Sequence, residues 1–295
     1  MSVLNNEVNE QTAPAPESKE VRAYKQTRRQ RNIQVNVLRV LIFVVIIGGW
    51  QLLTSVPSGH TIIDPFFWGQ PSGIWNQLVT WVQQGTAQGS LWEQIVVTLE
   101  EAILGFFIGA ILGVIFGVVL GRNRYLSDIL GPYVKALNSI PRVALAPLFA
   151  VGLGLGMQSK VALAAVLVFF IVFFNAFQGV REVDRNLLAN ARILGASPTR
   201  ITTSVILPSA LTWIFASLHT SFSFALVGAV VGEYVGAIQG IGLMIQTAGA
   251  NFNANGVFAA MVILAAIALL SEALITMLER RLLRWRPGTV VEATI

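Results

Sequence analysis

The sequence contains no cysteine, which excludes disulfides, thiolate nucleophiles and Cys-ligated metals. Histidine is almost as scarce: His60 and His219 are too few for the usual ligand set of a zinc enzyme, and no metal site is expected. Charge is thin too. Asp, Glu, Lys and Arg make up 12% of residues, against about 25% in ordinary soluble domains, while hydrophobic residues reach 54%. Such a chain has too little polar surface for a soluble enzyme and points to lipid. No G-x-x-x-x-G-K-[ST] phosphate loop occurs, and Gly152, Gly154 and Gly156 lack both its lysine and a preceding strand. The chain therefore cannot hydrolyse ATP alone. Neither histidine is placed as a recognisable base, so no catalytic residue is assigned.

Long apolar runs are what the chain has in quantity. The hydrocarbon core of a bilayer is about 30 Å thick and a helix rises about 1.5 Å per residue, so about 20 apolar residues cross it. Between Glu101 and Arg122 come 20 uncharged residues, AILGFFIGAILGVIFGVVLG, and between Lys160 and Arg181 another 20, VALAAVLVFFIVFFNAFQGV. VLIFVVIIGGWQLL follows Arg39, and Arg142 and Lys160 enclose 17 more uncharged residues. With the stretches 201–232 and 234–271, these runs predict an all-α membrane protein of six spans, near 38–56, 95–120, 128–153, 160–179, 209–232 and 257–279.

Six spans place both termini on one side, and the basic residues sort accordingly. One face collects Lys19, Arg22, Lys25, Arg28, Arg29, Arg31 and Arg39, then Arg122 and Arg124, then Arg181, Arg185, Arg192 and Arg200, and finally Arg280, Arg281, Arg284 and Arg286. Lys160 stands alone opposite, while Lys135 and Arg142 belong to span three. By the positive-inside rule the termini and 181–206 are cytoplasmic, and 57–93 with 235–255 lie outside. Topology thereby explains the net charge of +5, and nucleic acid is not expected as a partner. Residues 1–36, with their Asn, Gln, Ala-Pro repeats and basic run, read as a disordered tail. A cleaved signal peptide is not indicated, because the apolar run starts late and no Ala-x-Ala site follows it. Trp68, Trp75, Trp81 and Trp92 read as anchors at the membrane interface.

Span two places Gly105, Gly109, Gly113, Gly117 and Gly121 at four-residue spacing, which calls for a helix packed closely against it. Pro132, Pro141 and Pro147 interrupt span three, which ends in GLGLG. Such breaks are tolerated at membrane depth only where protein or a water-filled cavity satisfies the freed carbonyls. The span reads either as lining a path or as a kink packed in protein. EYVGAIQGIGLMIQTAGANFNANG, after span five, reads as a re-entrant or interfacial segment. Glu233 at its start reads as an acid solvated at a span end or as part of the path.

The loop REVDRNLLANARILGASPTRITTSVILPSA has explicit punctuation. Val183, Leu187, Leu188, Ala191 and Leu194 share one helical face; Gly195 suits a left-handed C′ position; Ser197 and Pro198 suit N-cap and N1 of a second helix, which Pro208 limits. By itself this helix–Gly–helix is either an interfacial anchor or a handle by which another protein moves the spans.

The loop resembles the EAA loop of ABC-importer permeases: Glu-Ala-Ala, three residues, Gly, nine residues, Ile, one residue, Leu-Pro. The matching positions are Ala189-Asn190-Ala191, Gly195, Val205 and Leu207-Pro208, so the motif's glutamate is missing. VTLEEAILGFFIGAILGVIFGVVLGR, SIPRVALAPLFAVGLGLG, FFNAFQGVREVD and VVGEYVGA look like the nitrate/sulfonate/taurine/bicarbonate branch of these permeases, a similarity over about 90–285.

The resemblance implies a type I ABC importer permease fold in a bacterial inner membrane, a six-span domain over 37–286 with a C-terminal tail 287–295, and no enzyme activity of the chain's own. It implies a second permease copy, giving a homodimer, with two cytoplasmic ATPase subunits and an extracytoplasmic solute-binding protein. No cofactor belongs to this chain; ATP and Mg sit on the ATPases. Coupling falls to Ala189, Asn190, Ala191, Gly195, Ala196, Ser197, Pro198, Leu207 and Pro208. The solute of this branch is a small anion, although some relatives carry vitamin precursors. Where such relatives often have Gly-Leu-Arg, this chain has Ser217-Leu218-His219.

Spans three and five are the expected path. Its candidates are Asn138, Ser139 and Arg142 around Pro141, then His219, about ten residues or about 15 Å into span five, with Thr220, Ser223 and Glu233. Two other classes stay open on the residues alone: a secondary transporter or channel, and a structural subunit of another membrane complex. The first lacks the internal repeats and midplane ion pairs that such carriers often show.

Overall fold

A computed structural model describes residues 19–55 and 63–282. Residues 1–18, His60, Arg284, Arg286 and the tail 287–295 lie outside the described residues. Helix α1 (Lys19–Ser55) falls in one unit, residues 1–63, and everything from Asp64 onward in another. α1 begins well inside the segment whose composition suggests a disordered tail. No glycine or proline lies between Lys19 and Ile47, so nothing interrupts the helix on its way into the apolar stretch Gln30–Ser55.

The second unit contains α2 (Pro65–Trp68), α3 (Pro71–Gln84), α4 (Leu91–Arg122), α5 (Arg124–Ser139), a 3₁₀ turn (Arg142–Leu145), α6 (Ala146–Leu153), α7 (Met157–Arg181), α8 (Arg185–Ile193), α9 (Pro198–Ile201), a π-helical stretch (Thr202–Ile206), α10 (Leu207–Val235), α11 (Ile241–Ala250) and α12 (Ala254–Leu282). Among the described residues five helical stretches are long and apolar enough to cross a bilayer, and the bent pair α5–α6 makes a sixth where it counts as one span. The five agree with runs read from the sequence, and the bent pair covers the stretch expected as span three.

α7 is the centre of the bundle, with α4 on one side and α10 on the other. The glycine stripe of α4 is the reason for the first contact. A Cβ added at Gly113 would lie 2.9 Å from both Phe169 O and Val172 Cβ, and one at Gly117 would lie 2.7 Å from Ala176 Cβ. Gly105 faces Ala164 and Gly121 faces Val180, so numbers rise together and the two helices run parallel. Without side chains in the way, dispersion contacts between backbones supply the attraction that lipid does not. α10 runs antiparallel to α7: Gly228 lies on Ala164, Gly232 on Lys160, and Ala210 with Trp213 on Gly179.

α5 and α6 meet at 83°. Pro141 is the cause, since its ring drives Ile140 to extended backbone (φ −69°, ψ 131°) and it lacks an N–H to continue the ladder. The other two prolines do not break a helix. Pro132 stays inside α5, and Pro147 sits in the first turn of α6, where the missing N–H has no partner to lose. At the end of the bundle away from α8, α3 and the 251–257 turn are tied together: Gln70 N–H donates to Asn255 Oδ1 at 2.9 Å and Asn253 Nδ2 to Gln77 Oε1 at 3.1 Å. Trp68, Trp75 and Trp92 are exposed there, but Trp81 is buried with Ile74 and serves the core rather than the interface.

Candidate functional site

The α8–α9 elbow is built as its sequence suggests. Asp184 caps α8 by accepting from Asn186 N–H at 2.8 Å. The helix ends in a Schellman motif: Gly195 N–H donates to Arg192 O and Ala196 N–H to Ala191 O, both at 3.0 Å, with Gly195 at φ +76°. Ser197 then caps α9, accepting from Arg200 N–H at 3.3 Å, and Pro198 takes the first turn. Pro208 does not end this helix. The chain widens into the π-helical stretch Thr202–Ile206 and continues as α10, which carries Leu207 and Pro208 in its first turn. The wider turn gives the proline ring room against the preceding carbonyls.

The elbow is seated on the bundle by one side only. Val183, Ile201 and Ile206 join Ala176 and Val180 of α7 and Ala210 and Ile214 of α10 in a buried cluster, with Leu188, Ala191 and Ala196 packed against it. The rest of the apolar face is open: Ile193 is 82% and Leu194 85% exposed, and Ala189 and Asn190 are exposed beside them. A Cβ at Gly195 would meet nothing within 4 Å. This is an apolar knuckle mounted on α7 and α10 and presented outward.

The polar residues proposed for a path do not form one group. Asn138, Ser139 and Arg142 gather at the α5–α6 break, where the Arg142 guanidinium donates to Asn138 Oδ1 and lies over the Phe170 ring with Cζ 5.0 Å from its centre. Thr220 and Ser223 lie on the open face of α10. His219 is engaged with α12: its Nδ1 lies 2.9 Å from Glu272 Oε1, and it lines an apolar cleft of about 1050 Å³ with Trp75, Phe106, Phe222 and Ile263.

Glu233 is fully buried, not solvated. Its Oε2 accepts from Gly242 N–H at 2.6 Å and its Oε1 from the Thr98 hydroxyl at 2.7 Å; Thr98 Oγ1 in turn accepts from Ile241 N–H, and Gln94 Oε1 from Gly240 N–H. Side chains of α4 and α10 thus satisfy the N–H groups that open α11, where a carboxylate also meets the positive end of the helix. Glu101 and Lys160 are buried beside this knot. Lys160 Nζ donates to Leu155 O and Gly156 O, fastening the turn before α7. Gln94, Thr98, Glu101, Lys160, Glu272 and Arg181 were not singled out from sequence as site residues. Glu101, Lys160 and Arg181 served there as borders of apolar runs. The usable signal was their charge at membrane depth, which by itself marks a residue for scrutiny.

Known proteins share this fold and much of its sequence. Residues 105–284 match the family described as binding-protein-dependent transport system inner membrane component. A Bacillus subtilis protein named as an aliphatic sulfonates transport permease, SsuC, is 33% identical over 84% of this chain and 87% of its own. The riboflavin transport system permease RibX of Chloroflexus aurantiacus is 39% identical over 68% of this chain and 75% of its own, and the taurine permease TauC of Escherichia coli 29% identical over 87% and 90%. The MetNI methionine ABC transporter in an inward-facing conformation shares the fold, with a TM-score of 0.52 and 24% identity over 76% of this chain and 98% of that one. A parallel α4–α7 pair, a helix broken at Pro141 and a capped elbow on α7 and α10 thus come with matching sequence over most of the chain, which belongs to the binding-protein-dependent inner-membrane transport components as a multi-pass permease subunit of an ABC importer.

Proposed function

We propose that two copies of this chain form the translocation unit of an importer for a small anionic solute of the kind named for the sulfonate and taurine relatives. Two ATPase subunits bind ATP and Mg in the cytoplasm, and a solute-binding protein docks on the α3–α11 end outside. The basic residues clustered at the α8 end support this orientation. The chain itself carries out no chemistry and holds no cofactor; it converts motion of its ATPase partners into opening and closing of a path.

The observation that carries the proposal is the α8–Gly195–α9 knuckle. Ile193 and Leu194 offer apolar surface to a partner, while Val183, Ala191 and Ile201 root the same element in a cluster shared with α7 and α10. A push on the knuckle therefore reaches two spans directly. The test is reconstitution of the chain with its ATPase subunits in proteoliposomes. Solute uptake that requires ATP, the binding protein and the ATPases together is the expected result. Uptake by the purified chain alone, without ATP, would replace this reading with a secondary transporter or channel.

A further inference from the structure

A second cleft, of about 560 Å³, lies where α5 stands away from α7 near the α8 end of the bundle. Phe173, Phe174 and Phe177 form its α7 wall, and Phe170 continues the aromatic row beyond it. Phe170 stacks on Phe174 with ring centres 6.5 Å apart and planes at 27°, and Phe173 stacks on Phe177 at 6.0 Å and 22°. A guanidinium sits at each end of the row: Arg142 over Phe170, and Arg181 over Phe177 with Cζ 4.6 Å from the ring centre. Phe170 and Phe177 are about 10 Å apart along the helix.

Among the described residues neither arginine forms an ion pair. Arg181 donates to Ser127 Oγ at 3.3 Å and Arg142 to Asn138 Oδ1, and both acceptors are neutral. Among the described residues neither has a carboxylate within 4 Å. Asp128, the one acid lining the cleft, lies 3.9 Å from Arg124, while Lys135 adds another cation to the lining. A guanidinium stacked on a ring keeps its N–H edge available, and most of the five donors of each are unspent.

We infer that this cleft holds the transported solute on its way out of the α8 end, and that the solute is an organic anion with a flat or apolar body. Its charged end meets Arg181, and its body lies on Phe174 and Phe177. The positive charge missing at His219 is thus supplied from α7 by Arg181. A small inorganic anion would use the guanidinium and leave the aromatic wall idle. The volume suits a small organic molecule, within the range of about 300–1,000 Å³ common for such sites. This inference rests on the permease reading.

The probe is radiolabelled naphthalene-2-sulfonate, applied by equilibrium dialysis to the complex with its ATPase subunits in nanodiscs of phosphatidylcholine alone. Expected is saturable binding, weakened about tenfold or more by Arg181→Gln and by Phe177→Leu separately, and partly restored by Arg181→Lys. Nitrate should compete far more weakly than unlabelled probe. Phe177→Leu preserves apolar packing, so it carries the test if Arg181→Gln fails to assemble. Equal binding by both variants and wild type, or equal competition by nitrate, would overturn the inference. So would displacement of the probe by phosphatidylglycerol at the low fraction expected of a headgroup site, which would make the cleft a lipid site. ATP-driven uptake is measured on the same preparations: binding intact without any uptake removes the permease reading alone, whereas normal uptake with binding indifferent to the variants removes the cleft alone.

Discussion

The Thr98 hydroxyl donates to Glu233 Oε1 at 2.7 Å while accepting from Ile241 N–H at 2.9 Å, so one side chain of α4 holds both the end of α10 and the beginning of α11. All three partners are buried, which leaves no water to replace a lost bond.

Thr98→Val keeps the shape and removes both bonds. An unsatisfied buried group costs about 1–3 kcal/mol, so the variant should unfold at lower temperature and expose 236–250 to protease, with Thr98→Ser close to wild type. Unchanged melting and protection in Thr98→Val would show that the tie carries no stability.

Packing of α4 on α7 predicts a contrast between glycines. Gly113→Leu forces a side chain into Phe169 O and Val172, and overpacking of this kind costs about 1–3 kcal/mol or more where backbone must move. Gly249→Ala meets nothing within 4 Å. Yield of monodisperse protein should fall sharply for the first and hold for the second; equal yields would contradict the close approach.

At the elbow, Gly195→Asp places a β-carbon at φ +76°, a strain of about 1 kcal/mol. That is too little to unfold six spans and enough to misplace Ile193 and Leu194. Membrane insertion should persist while ATPase association falls or hydrolysis uncouples from uptake. Leu194→Glu should have the same effect without the backbone strain. Normal complex recovery with normal coupled uptake in both would show that force enters elsewhere.

The orientation can be read with single cysteines, because the chain has none of its own. Ser197 and Ala87 are both exposed, at opposite ends of the bundle. An impermeant maleimide added to intact cells should label Ala87→Cys and spare Ser197→Cys until the membrane is opened. The reverse pattern would invert the topology.

His219 and Glu272 join α10 to α12 at 2.9 Å. If the pair braces the two helices, His219→Ala and Glu272→Ala should show a stability coupling of about 0.5 kcal/mol or more in a double-mutant cycle and leave solute affinity unchanged. A tenfold loss of affinity in His219→Ala alone would return this histidine to the path.

Much of this molecule is local and therefore legible in the chain. Span lengths follow from apolar runs, the close α4–α7 contact from glycines every four residues, and the elbow from Gly195, Ser197 and Pro198, because each depends on backbone rules acting within a few residues. The prolines of span three were harder: only Pro141 breaks the helix, since Pro132 is accommodated within α5 and Pro147 falls in a first turn, and position relative to a helix start is not written in the residue itself. What the sequence by itself determined is a membrane bundle with a capped helix–Gly–helix elbow. Tertiary structure alone decided which distant polar groups meet. Glu233 finds Thr98 and the α11 N–H groups, His219 finds Glu272, and Arg142 and Arg181 share one aromatic row, because a buried polar or charged group must be satisfied by whatever the packing brings within about 3 Å, and packing joins residues that sequence separation keeps apart.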